Sequence, residues 1–373
     1  MYYKKKIAIF IMSKSLSGAE KRFIRIAFDL NRKRDDILLI VNSNLYDLGL
    51  KDQEIANKLK PLMNEKVLKI INTNKNSKYF RSLFTIRRLI QLIIQENIGT
   101  MHSALGALSY SIIGKLLGVK VIAEITSPDI ANEVHTKYKR IISHFNKIIS
   151  VSPGVDLKVR NNLNKINKLK ETQLYCSPIP FFSPDNIENE NDISKKKENL
   201  IVYASRFIER KNPILFAKSV KKLLSEKSDW NVVILGKGPL EKEINDILQS
   251  EIDDNRVIIE YSKDIYSYLR KSKIFVSLIY PDNYPSQSIL EAMYMKNAII
   301  ATNVGNTDKF VTSKNGYMIN EYSVESVYNN LKLATTHENE LTLKGDYSYK
   351  MIKECFSKEL YIEDLEKLYL NLN

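Results

Sequence analysis

Two cations follow an apolar segment in the second half of the chain. Arg206 comes directly after the strand-like run "LIVYAS", and Lys211 lies five residues further on, before Pro213. A guanidinium and an ammonium at the carboxyl end of a strand can hold a diphosphate and stabilise the charge that grows on it as a leaving group. The alternative is a basic surface loop, in which Arg210 also faces water.

A polar turn separates an apolar strand from a helix in "YPDNYPSQSILEAMYM", and a carboxylate follows inside the helix. Free N–H groups at a helix start can bind a phosphate, and a carboxylate nearby can accept hydrogen bonds from a ribose diol. The alternative is a charge that only interacts with the helix dipole. The residues that we expect to contact a ligand here are Asn283, Ser286, Gln287, Ser288 and Glu291.

Two glycine-containing turns could bring the backbone close to a phosphate. Gly18 lies within the Ser-x-x-Glu spacing that is typical of a capping box after the first strand. Gly236 and Gly238 form a tight turn before a second helix. Because the usual GxGxxG fingerprint is absent, the glycines taken alone favour the structural alternatives, which are a well-capped helix at Gly18 and a plain loop at Gly236 and Gly238.

Apolar strand-like runs alternate with amphipathic helical segments along the whole chain, from "KIAIFIM" near the start to "AIIATN" in the second half. This alternation predicts parallel sheets with helices on both faces, and ligands beyond the carboxyl ends of the strands. The polar segment "SPDNIENENDISKKKEN" interrupts it. We therefore predict an α/β protein with two tandem Rossmann-like domains and a cleft between them. The predicted segments are residues 1–182, a linker over 183–199, a second domain over 200–355 and a C-terminal helix over 356–373 that packs toward the first domain.

The charge of the chain is unevenly distributed. Residues 1–180 carry 31 Lys or Arg and 14 Asp or Glu, whereas residues 181–373 carry 26 and 29. A basic half is compatible with nucleic acid, an anionic membrane surface or an anionic substrate. A lysine-rich, solvated surface with no partner is the simpler alternative.

The sequence also argues against several classes of protein. Cys176 and Cys355 form no CxxC pattern, which disfavours a disulfide framework and a structural zinc site. The N-terminal apolar run is too short for a signal peptide, and no run is long enough to span a membrane. We expect a cytoplasmic protein, peripheral to the inner face of the cytoplasmic membrane if the basic half binds lipid.

These motifs together resemble retaining glycosyltransferases of the GT-B fold, in the large family-four group that includes bacterial polysaccharide and lipopolysaccharide enzymes. The second half resembles their nucleotide-sugar-binding domain, and "SGAEKRFIRIA" and "IISVSPGVDLKV" resemble segments of their first domain. The resemblance covers nearly the whole chain. The matching positions of the second half are Arg206 with Lys211, Gly236-x-Gly238-Pro239, Asn283 with Glu291-Ala292-Met293, and the "NGYMI" run at 315–319.

The resemblance implies a retaining, metal-independent hexosyltransferase. Its co-substrate would be a nucleotide sugar, with a UDP-sugar expected, and it would need no cofactor. Arg206 and Lys211 would stabilise the leaving diphosphate, Glu291 would hold the ribose hydroxyls, and Gly18 and Gly236 would lie at the phosphates. The acceptor would be a growing, lipid-linked surface glycan bound by the basic first domain.

Two positions depart from the family pattern. Asn283 stands where the family has a glutamate that contacts the donor sugar; either it or Asp282 beside it could take over that role. The family often has a histidine after the strand "KVIAEIT", and this chain has none there. His102 is the remaining catalytic candidate, although a histidine satisfied within the core explains it equally well.

Two other functions remain open from the sequence. A nucleotide-sugar 2-epimerase shares this architecture, but it needs carboxylates around the sugar, which Asn283 disfavours. A nucleic-acid-binding protein would fit the charge alone, although no known binding motif is present.

A basic first domain could also dock on an anionic membrane. An interfacial helix places cations and apolar side chains on one exposed surface, whereas a core-facing helix buries its apolar ones. The candidate segments are "YYKKK", "NRKR" and "RSLFTIRRLIQLI", the last combining Arg81, Arg87 and Arg88 with Phe84, Leu89 and Leu92.

Overall fold

The computed structural model of this protein describes residues 5–73, 78–177, 182, 184, 193, 196–226, 229–262, 264–283 and 286–372, without the side chains of residues 78–81. Two compact units divide the chain. The first unit comprises Met1–Pro180 and Glu359–Asn373, and the second unit comprises Phe181–Lys358. Most of the predicted linker over 183–199 lies outside the described residues.

The first unit is built on seven strands with helices between them. The strands are β1 (Lys6–Met12), β2 (Ile37–Asn42), β3 (Leu68–Ile71), β4 (Ile98–Leu105), β5 (Lys120–Ile125), β6 (Lys147–Ser150) and β7 (Leu174–Cys176). The helices are α1 (Gly18–Asn31), α2 (Ser43–Leu50), α3 (Gln53–Asn64), α4 (Lys78–Gln95), α5 (Ser111–Leu116), α6 (Pro128–Glu133) and α7 (Pro153–Lys165), and the C-terminal α14 (Lys358–Leu370) belongs to this unit from Glu359 onward.

The second unit repeats the same plan with six strands. The strands are β8 (Glu198–Ala204), β9 (Asn231–Leu235), β10 (Val257–Glu260), β11 (Ser272–Ser277), β12 (Ala298–Thr302) and β13 (Gly316–Ile319). The helices are α8 (Pro213–Glu226), α9 (Glu241–Asp253), α10 (Tyr266–Lys271), α11 (Gln287–Tyr294), α12 (Val324–Thr336) and α13 (Glu338–Cys355).

Both sheets are parallel throughout their described strand pairs. The first has the order β3-β2-β1-β4-β5-β6-β7 and the second the order β10-β9-β8-β11-β12-β13. In each sheet the direction of progression reverses beside the first strand, between β1 and β4 and between β8 and β11. Such a reversal opens a crevice at the carboxyl ends of the strands, where ligands of this class of sheet bind.

The core of the second unit lies on both faces of its sheet. Alternate residues of β8 face opposite sides, so Ile201 packs against one layer of helices and Val202 against the other. Phe216 of α8 belongs to the first layer, and Ile289 of α11 belongs to the second. The sheet is therefore held rigidly between helices, and its carboxyl edge positions the loops that follow each strand.

The predicted α/β fold with two Rossmann-like parallel-sheet units is confirmed. The apolar runs identified in the sequence coincide with β1 to β6 and β8 to β12. The short strand β7 was not predicted, and the "NGYMI" run proves to contain the edge strand β13. Within the described part of the chain, no helix is both long and apolar enough to cross a membrane.

Candidate functional site

The segment after β8, residues 205–212, is here called the cation loop because it carries Arg206, Arg210 and Lys211. It ends at Asn212, which adopts a left-handed conformation with φ of 53° before α8 begins. The Asn212 side-chain amide donates to the carbonyl of Leu278 at 2.6 Å. The cation loop is therefore anchored to the segment that follows β11, its neighbour in the sheet.

The cations of this loop have no carboxylate partner within 4.0 Å among the described residues. Burial, together with the nearby charges of Arg210 and Arg206, lowers the pKa of Lys211 to about 8. Arg206 and Arg210 are exposed, whereas Lys211 is half-buried. Although Glu209 belongs to the same loop, the three clustered cations leave the loop with a net positive charge. This charge favours an anionic ligand, since a bound diphosphate would reduce the repulsion between the cations.

The glycine turn after β9 packs directly against the cation loop. The backbone N–H of Phe207 donates to the carbonyl of Lys237 at 3.0 Å. A Cβ at Gly236 would lie 1.9 Å from the carbonyl oxygen of Ser205, and one at Gly238 would lie 2.5 Å from that of Phe207. Both glycines are therefore required by this contact between loops, whether or not Gly236 also meets a phosphate.

The polar turn before α11 lies partly within the described residues. Ser286 is the buried N-cap of α11, and its hydroxyl is 3.2 Å from that of Ser288. Gln287 is exposed, and Glu291 is half-buried further along the same helix. The buried face of α11, with Ile289 among its residues, packs into the core. The helix thus presents its polar N-terminus at the carboxyl edge of the sheet.

Asn283 is buried beneath this turn, with 3% of its surface exposed. Its amide nitrogen donates to the Ser277 hydroxyl at 3.3 Å, but its Oδ1 atom has no hydrogen-bond partner in the part of the chain that is described. Buried acceptors of this kind are rare. Asp282 beside it approaches Gly305, where a Cβ would lie 2.4 Å from Oδ1 of Asp282. Asn283 therefore retains an acceptor that a ligand hydroxyl could satisfy.

Gly18 begins α1 in the first unit. The predicted capping box is present, with Glu20 accepting a hydrogen bond from the backbone N–H of Ser17 at 2.9 Å. Burial raises the pKa of Glu20, but hydrogen bonds from Ser13 and Ser17 outweigh this effect and lower it overall. A Cβ at Gly18 would meet no described atom within 4 Å. The space beside this helix start is thus open, and no protein contact within the described structure requires the glycine.

His102 lies on β4 in the core of the first unit and is fully buried. Its Nδ1 atom is 2.8 Å from the Tyr369 hydroxyl, and its Nε2 atom is 2.8 Å from a Glu124 carboxylate oxygen. Phe23 packs edge-on against the ring. This enclosure of the ring favours the alternative of a histidine packed within the core over a catalytic His102.

The partners of His102 form a buried polar network that the sequence analysis missed. Arg22 of α1 forms an ion pair with Glu124 and donates to the Tyr361 hydroxyl at 2.5 Å. Burial raises the pKa of Glu124, but the charge of Arg22 and the hydrogen bond of His102 outweigh it, and that pKa falls to about 2. The sequence contained one signal for this network, which is the single glutamate, Glu124, inside the apolar strand "KVIAEIT". This network connects α1, β4 and β5 with α14.

The predicted site residues thus fall into two groups. Contacts within the second unit bring the cation loop, the glycine turn and the segment after β11 together at one sheet edge. Gly18 and His102 belong to the first unit, and only Gly18 lies beside open space there. No group of three or more His, Cys, Asp or Glu side chains that could hold a metal occurs in the described ranges.

Comparison with known proteins gives a family match within the second unit. Residues 185–351 match the sequence profile of the family described as glycosyl transferases group 1. CapM of Staphylococcus aureus, a capsular polysaccharide biosynthesis glycosyltransferase, is 26% identical over 234 residues, which are 60% of each chain. This alignment therefore spans under two thirds of that relative.

A second curated relative aligns over more of its length. It is the GalNAc-α-(1→4)-GalNAc-α-(1→3)-diNAcBac-PP-undecaprenol α-1,4-N-acetyl-D-galactosaminyltransferase of Campylobacter jejuni. It is 21% identical over 317 residues, covering 83% of this chain and 82% of the relative.

Solved structures show the same fold over the entire chain. A glycosyltransferase from Rickettsia africae superposes with a TM-score of 0.75 at 18% identity, covering 99% of both chains. HepE from Anabaena, solved in complex with UDP and glucose, superposes with a TM-score of 0.69 at 12% identity, covering 99% of this chain and 100% of HepE. The chain has the two-domain α/β fold of these GT-B structures, and residues 185–351 match the glycosyl transferases group 1 family.

Proposed function

We propose that this protein is a retaining, metal-independent glycosyltransferase of bacterial surface polysaccharide synthesis. It takes a sugar from a UDP-sugar bound by the second unit and transfers it to a growing, lipid-linked glycan. The nucleotide sugar is a co-substrate, and no cofactor takes part.

The cation loop is the observation that carries this proposal. Arg206 and Lys211 stand beyond the carboxyl end of β8, beside the sheet reversal, without a carboxylate partner among the described residues. As the bond between sugar and diphosphate breaks, negative charge accumulates on the diphosphate. Preorganised cations stabilise that state more than the bound substrate, and this difference accelerates the reaction.

The other residues that we propose to contact the donor lie at the same edge of the sheet. The N-terminus of α11, at Ser286, Gln287 and Ser288, supplies N–H groups to the nucleotide, and Glu291 accepts from the ribose hydroxyls. Oδ1 of Asn283 accepts from a hydroxyl of the donor sugar. Transfer with retention needs no nucleophile from the enzyme in the family that this chain resembles, and we assign no step to His102.

The names of similar proteins support the choice of substrates. HepE was crystallised with UDP and glucose. The Campylobacter relative is named for a glycan carried on undecaprenyl diphosphate, and CapM is named for capsular polysaccharide synthesis. These names favour a UDP-sugar donor and a lipid-linked acceptor, and they favour transfer over epimerisation.

A thermal-shift panel of nucleotides and nucleotide sugars tests the donor. A donor at about 100 times its Kd stabilises the native state by about 2.7 kcal/mol, so its Tm rises measurably. We expect UDP and at least one UDP-sugar to raise Tm while CMP-linked sugars do not. Stabilisation by a non-uridine nucleotide alone would reject the uridine assignment.

The affinity for UDP should depend on pH through Lys211. With a pKa of about 8 in the free protein, this side chain is charged below pH 8 and becomes neutral above it. An anion binds the charged form, so Kd should be constant near pH 7 and rise above pH 8, by up to about tenfold per pH unit. Titration calorimetry between pH 7 and 9.5 measures the profile.

The Lys211→Arg variant provides the control, because a guanidinium stays charged over this range. Its Kd should lack the rise above pH 8. An identical rise in both proteins would assign the titration to another group.

Chelation of divalent metals should leave transfer intact. The cation loop supplies positive charge at the diphosphate, which is the role that a divalent ion has in other transferases. Sugar release from a UDP-sugar, measured in excess EDTA, is expected to stay within about twofold of the untreated rate. Loss of the rate, with recovery on adding Mg²⁺ or Mn²⁺, would contradict metal independence.

The structure refines the candidate membrane surface of the first unit. Leu89 and Leu92 of α4 are buried in the core, as the alternative of a core-facing helix has it. Leu83, Arg87 and Ile94 of the same helix are exposed and lie on one helical face. An exposed face that combines a cation with apolar side chains can bind an anionic membrane, so we include an anionic membrane surface among the proposed partners.

The other basic segments contribute less to the described surface. Arg34 of the "NRKR" run donates to the Asp36 carboxylate at 2.8 and 2.7 Å and is thus partly neutralised. Most of "YYKKK" and the side chain of Arg81 lie outside the described residues.

Vesicle sedimentation tests membrane docking. Each basic side chain near an anionic surface contributes about 1 kcal/mol, so binding should be weak, reversible and abolished by high salt. Binding to anionic vesicles should fall in an Arg87→Glu/Ile94→Ser variant. The matched control, Leu343→Ser, removes an exposed leucine from the second unit and should bind normally. Equal binding to neutral and anionic vesicles would refute electrostatic docking.

A further inference from the structure

Two exposed tyrosines form an aromatic corner on the second unit. The ring centroids of Tyr280 and Tyr322 are 4.9 Å apart, and the ring planes meet at 80°. Tyr280 is 53% exposed and Tyr322 is 38% exposed. Each residue thus leaves much of its surface in water although the two rings touch. Exposed aromatic surface that is held in a defined geometry is typical of binding sites.

The aromatic corner lies at the same sheet edge as the cation loop. Tyr280 follows β11 and Tyr322 follows β13, so both stand beyond the carboxyl ends of parallel strands. The backbone N–H of Tyr280 donates to the carbonyl of Arg210 at 3.0 Å. This bond connects the corner directly to the loop that is proposed to hold the diphosphate.

Short hydrogen bonds hold the corner in place. The Thr302 hydroxyl at the end of β12 donates to the carbonyl of Ile279 at 2.7 Å, which fixes the chain beside Tyr280. Burial raises the pKa of Tyr322, and a hydrogen bond with the Thr302 side chain opposes that rise. Thr302 thus contacts both the residue before Tyr280 and the side chain of Tyr322, so that less conformational freedom would be lost on binding.

Two exposed amides lie along the same edge. Asn303 follows β12, and its side-chain nitrogen donates to Oδ1 of Asn320 at 2.7 Å. An amide side chain can form several hydrogen bonds, so each of these two retains groups for a ligand. Neutral amides and phenolic hydroxyls suit a polyhydroxylated ligand. Glu321, adjacent to Tyr322, disfavours a phosphate.

We propose that the aromatic corner, Tyr280 and Tyr322, binds the C–H face of a hexopyranose ring, with the Asn303 and Asn320 amides bonding its hydroxyls. This inference rests on the proposed function, because it places a sugar of the transfer reaction beside the cation loop. The ring is either the sugar of the donor or the first sugar of the acceptor. Both present the same chemistry, an apolar C–H face bordered by hydroxyls.

The two sources are separated by three probes. Titration with UDP and with UDP-glucose reports the contribution of a donor sugar as the ratio of their affinities. Proton saturation transfer to methyl α-glucoside, at millimolar concentration with UDP present, reports binding of a free pyranose. Each probe is applied to the wild type, to Tyr280→Ala/Tyr322→Ala and to Tyr280→Phe/Tyr322→Phe.

A donor subsite predicts that the alanine variant loses about tenfold in affinity for UDP-glucose while its affinity for UDP is unchanged. An acceptor subsite predicts unchanged nucleotide affinities and loss of saturation transfer to methyl α-glucoside. The phenylalanine variant keeps both rings and should retain sugar binding in either case. Tyr347→Ala, which removes a tyrosine from α13 of the same unit, is the matched control and should behave as the wild type.

Unchanged sugar binding in the alanine variant would overturn the proposal, and so would an equal loss for UDP and UDP-glucose. If the proposed function is wrong, the experiments give a different result. A wild-type protein that binds no UDP would refute the donor assignment, and the methyl α-glucoside signal would then decide on the aromatic corner by itself.

Discussion

The Arg206→Ala and Lys211→Ala variants are each expected to transfer sugar about one to three orders of magnitude more slowly than the wild type. The two cations stand together beyond β8 and lack a carboxylate partner within the described structure. In the proposed function they stabilise charge that develops mainly in the transition state, so the loss should appear in kcat rather than only in KM. Release of UDP at a saturating UDP-sugar concentration measures it.

Because the proposal places both side chains at the same diphosphate, the double variant should lose less than the product of the single losses. Lys242→Ala, an exposed lysine of α9 in the same unit, is the matched control and should keep full activity. Thermal stability should be unchanged in all of these variants, since both cations lie in a loop. Wild-type turnover in the double variant would refute the assignment of the cation loop.

The Glu124→Ala variant is expected to lose about 3–5 kcal/mol of stability. Glu124 is fully buried, and its ion pair with Arg22 is the main interaction that offsets its desolvation. Alanine would leave the Arg22 guanidinium mostly buried without its counter-charge. Urea unfolding followed by circular dichroism measures the loss.

The single tryptophan helps to locate this effect. Trp230 is buried in the second unit, so its fluorescence reports that unit alone. We expect the circular-dichroism transition to shift more than the fluorescence transition. Glu133→Ala, which breaks an exposed pair with Lys137 in the first unit, should change stability by at most about 1 kcal/mol. Equal stability of Glu124→Ala and Glu133→Ala would contradict a structural role for the buried network.

Local signals explain most of what the sequence predicted correctly. The strands are continuous apolar runs because both faces of a parallel sheet are covered by helices. The capping box at Ser17 and Glu20 is specified by residues three apart, so its pattern can be recognised without knowledge of the fold. The placement of Arg206 and Lys211 beyond the carboxyl end of β8 could likewise be predicted, because the apolar run that forms β8 lies directly before them in the sequence.

Contacts between distant parts of the chain explain what the sequence could not predict. His102 was a catalytic candidate because its type suits proton transfer, but its partner Tyr369 lies 267 residues away. Gly236 and Gly238 proved to be required by Ser205 and Phe207 on another loop. In each case the deciding neighbour belongs to a different element, and periodicity carries no information about it.

Helix α4 shows that the sequence pattern of a single helix is also insufficient to predict which of its faces is buried. Its sequence predicted an amphipathic helix, but two apolar stripes were available, and only packing shows which one faces the sheet. Leu89 and Leu92 are buried, while Leu83 and Ile94 remain exposed. Phe84 and Arg87 of the sequence-based set are exposed, but the pattern alone could not identify the whole exposed face of the helix.

Hydrogen–deuterium exchange with and without UDP tests most directly the claim that the second unit holds the donor. Bound nucleotide should slow exchange at residues 205–212, 236–240 and 286–291, the loops after β8 and β9 and the start of α11. The same experiment on Arg206→Ala/Lys211→Ala should show much weaker protection at an equal UDP concentration. Protection confined to other segments, in a protein that demonstrably binds UDP, would contradict the proposed donor site.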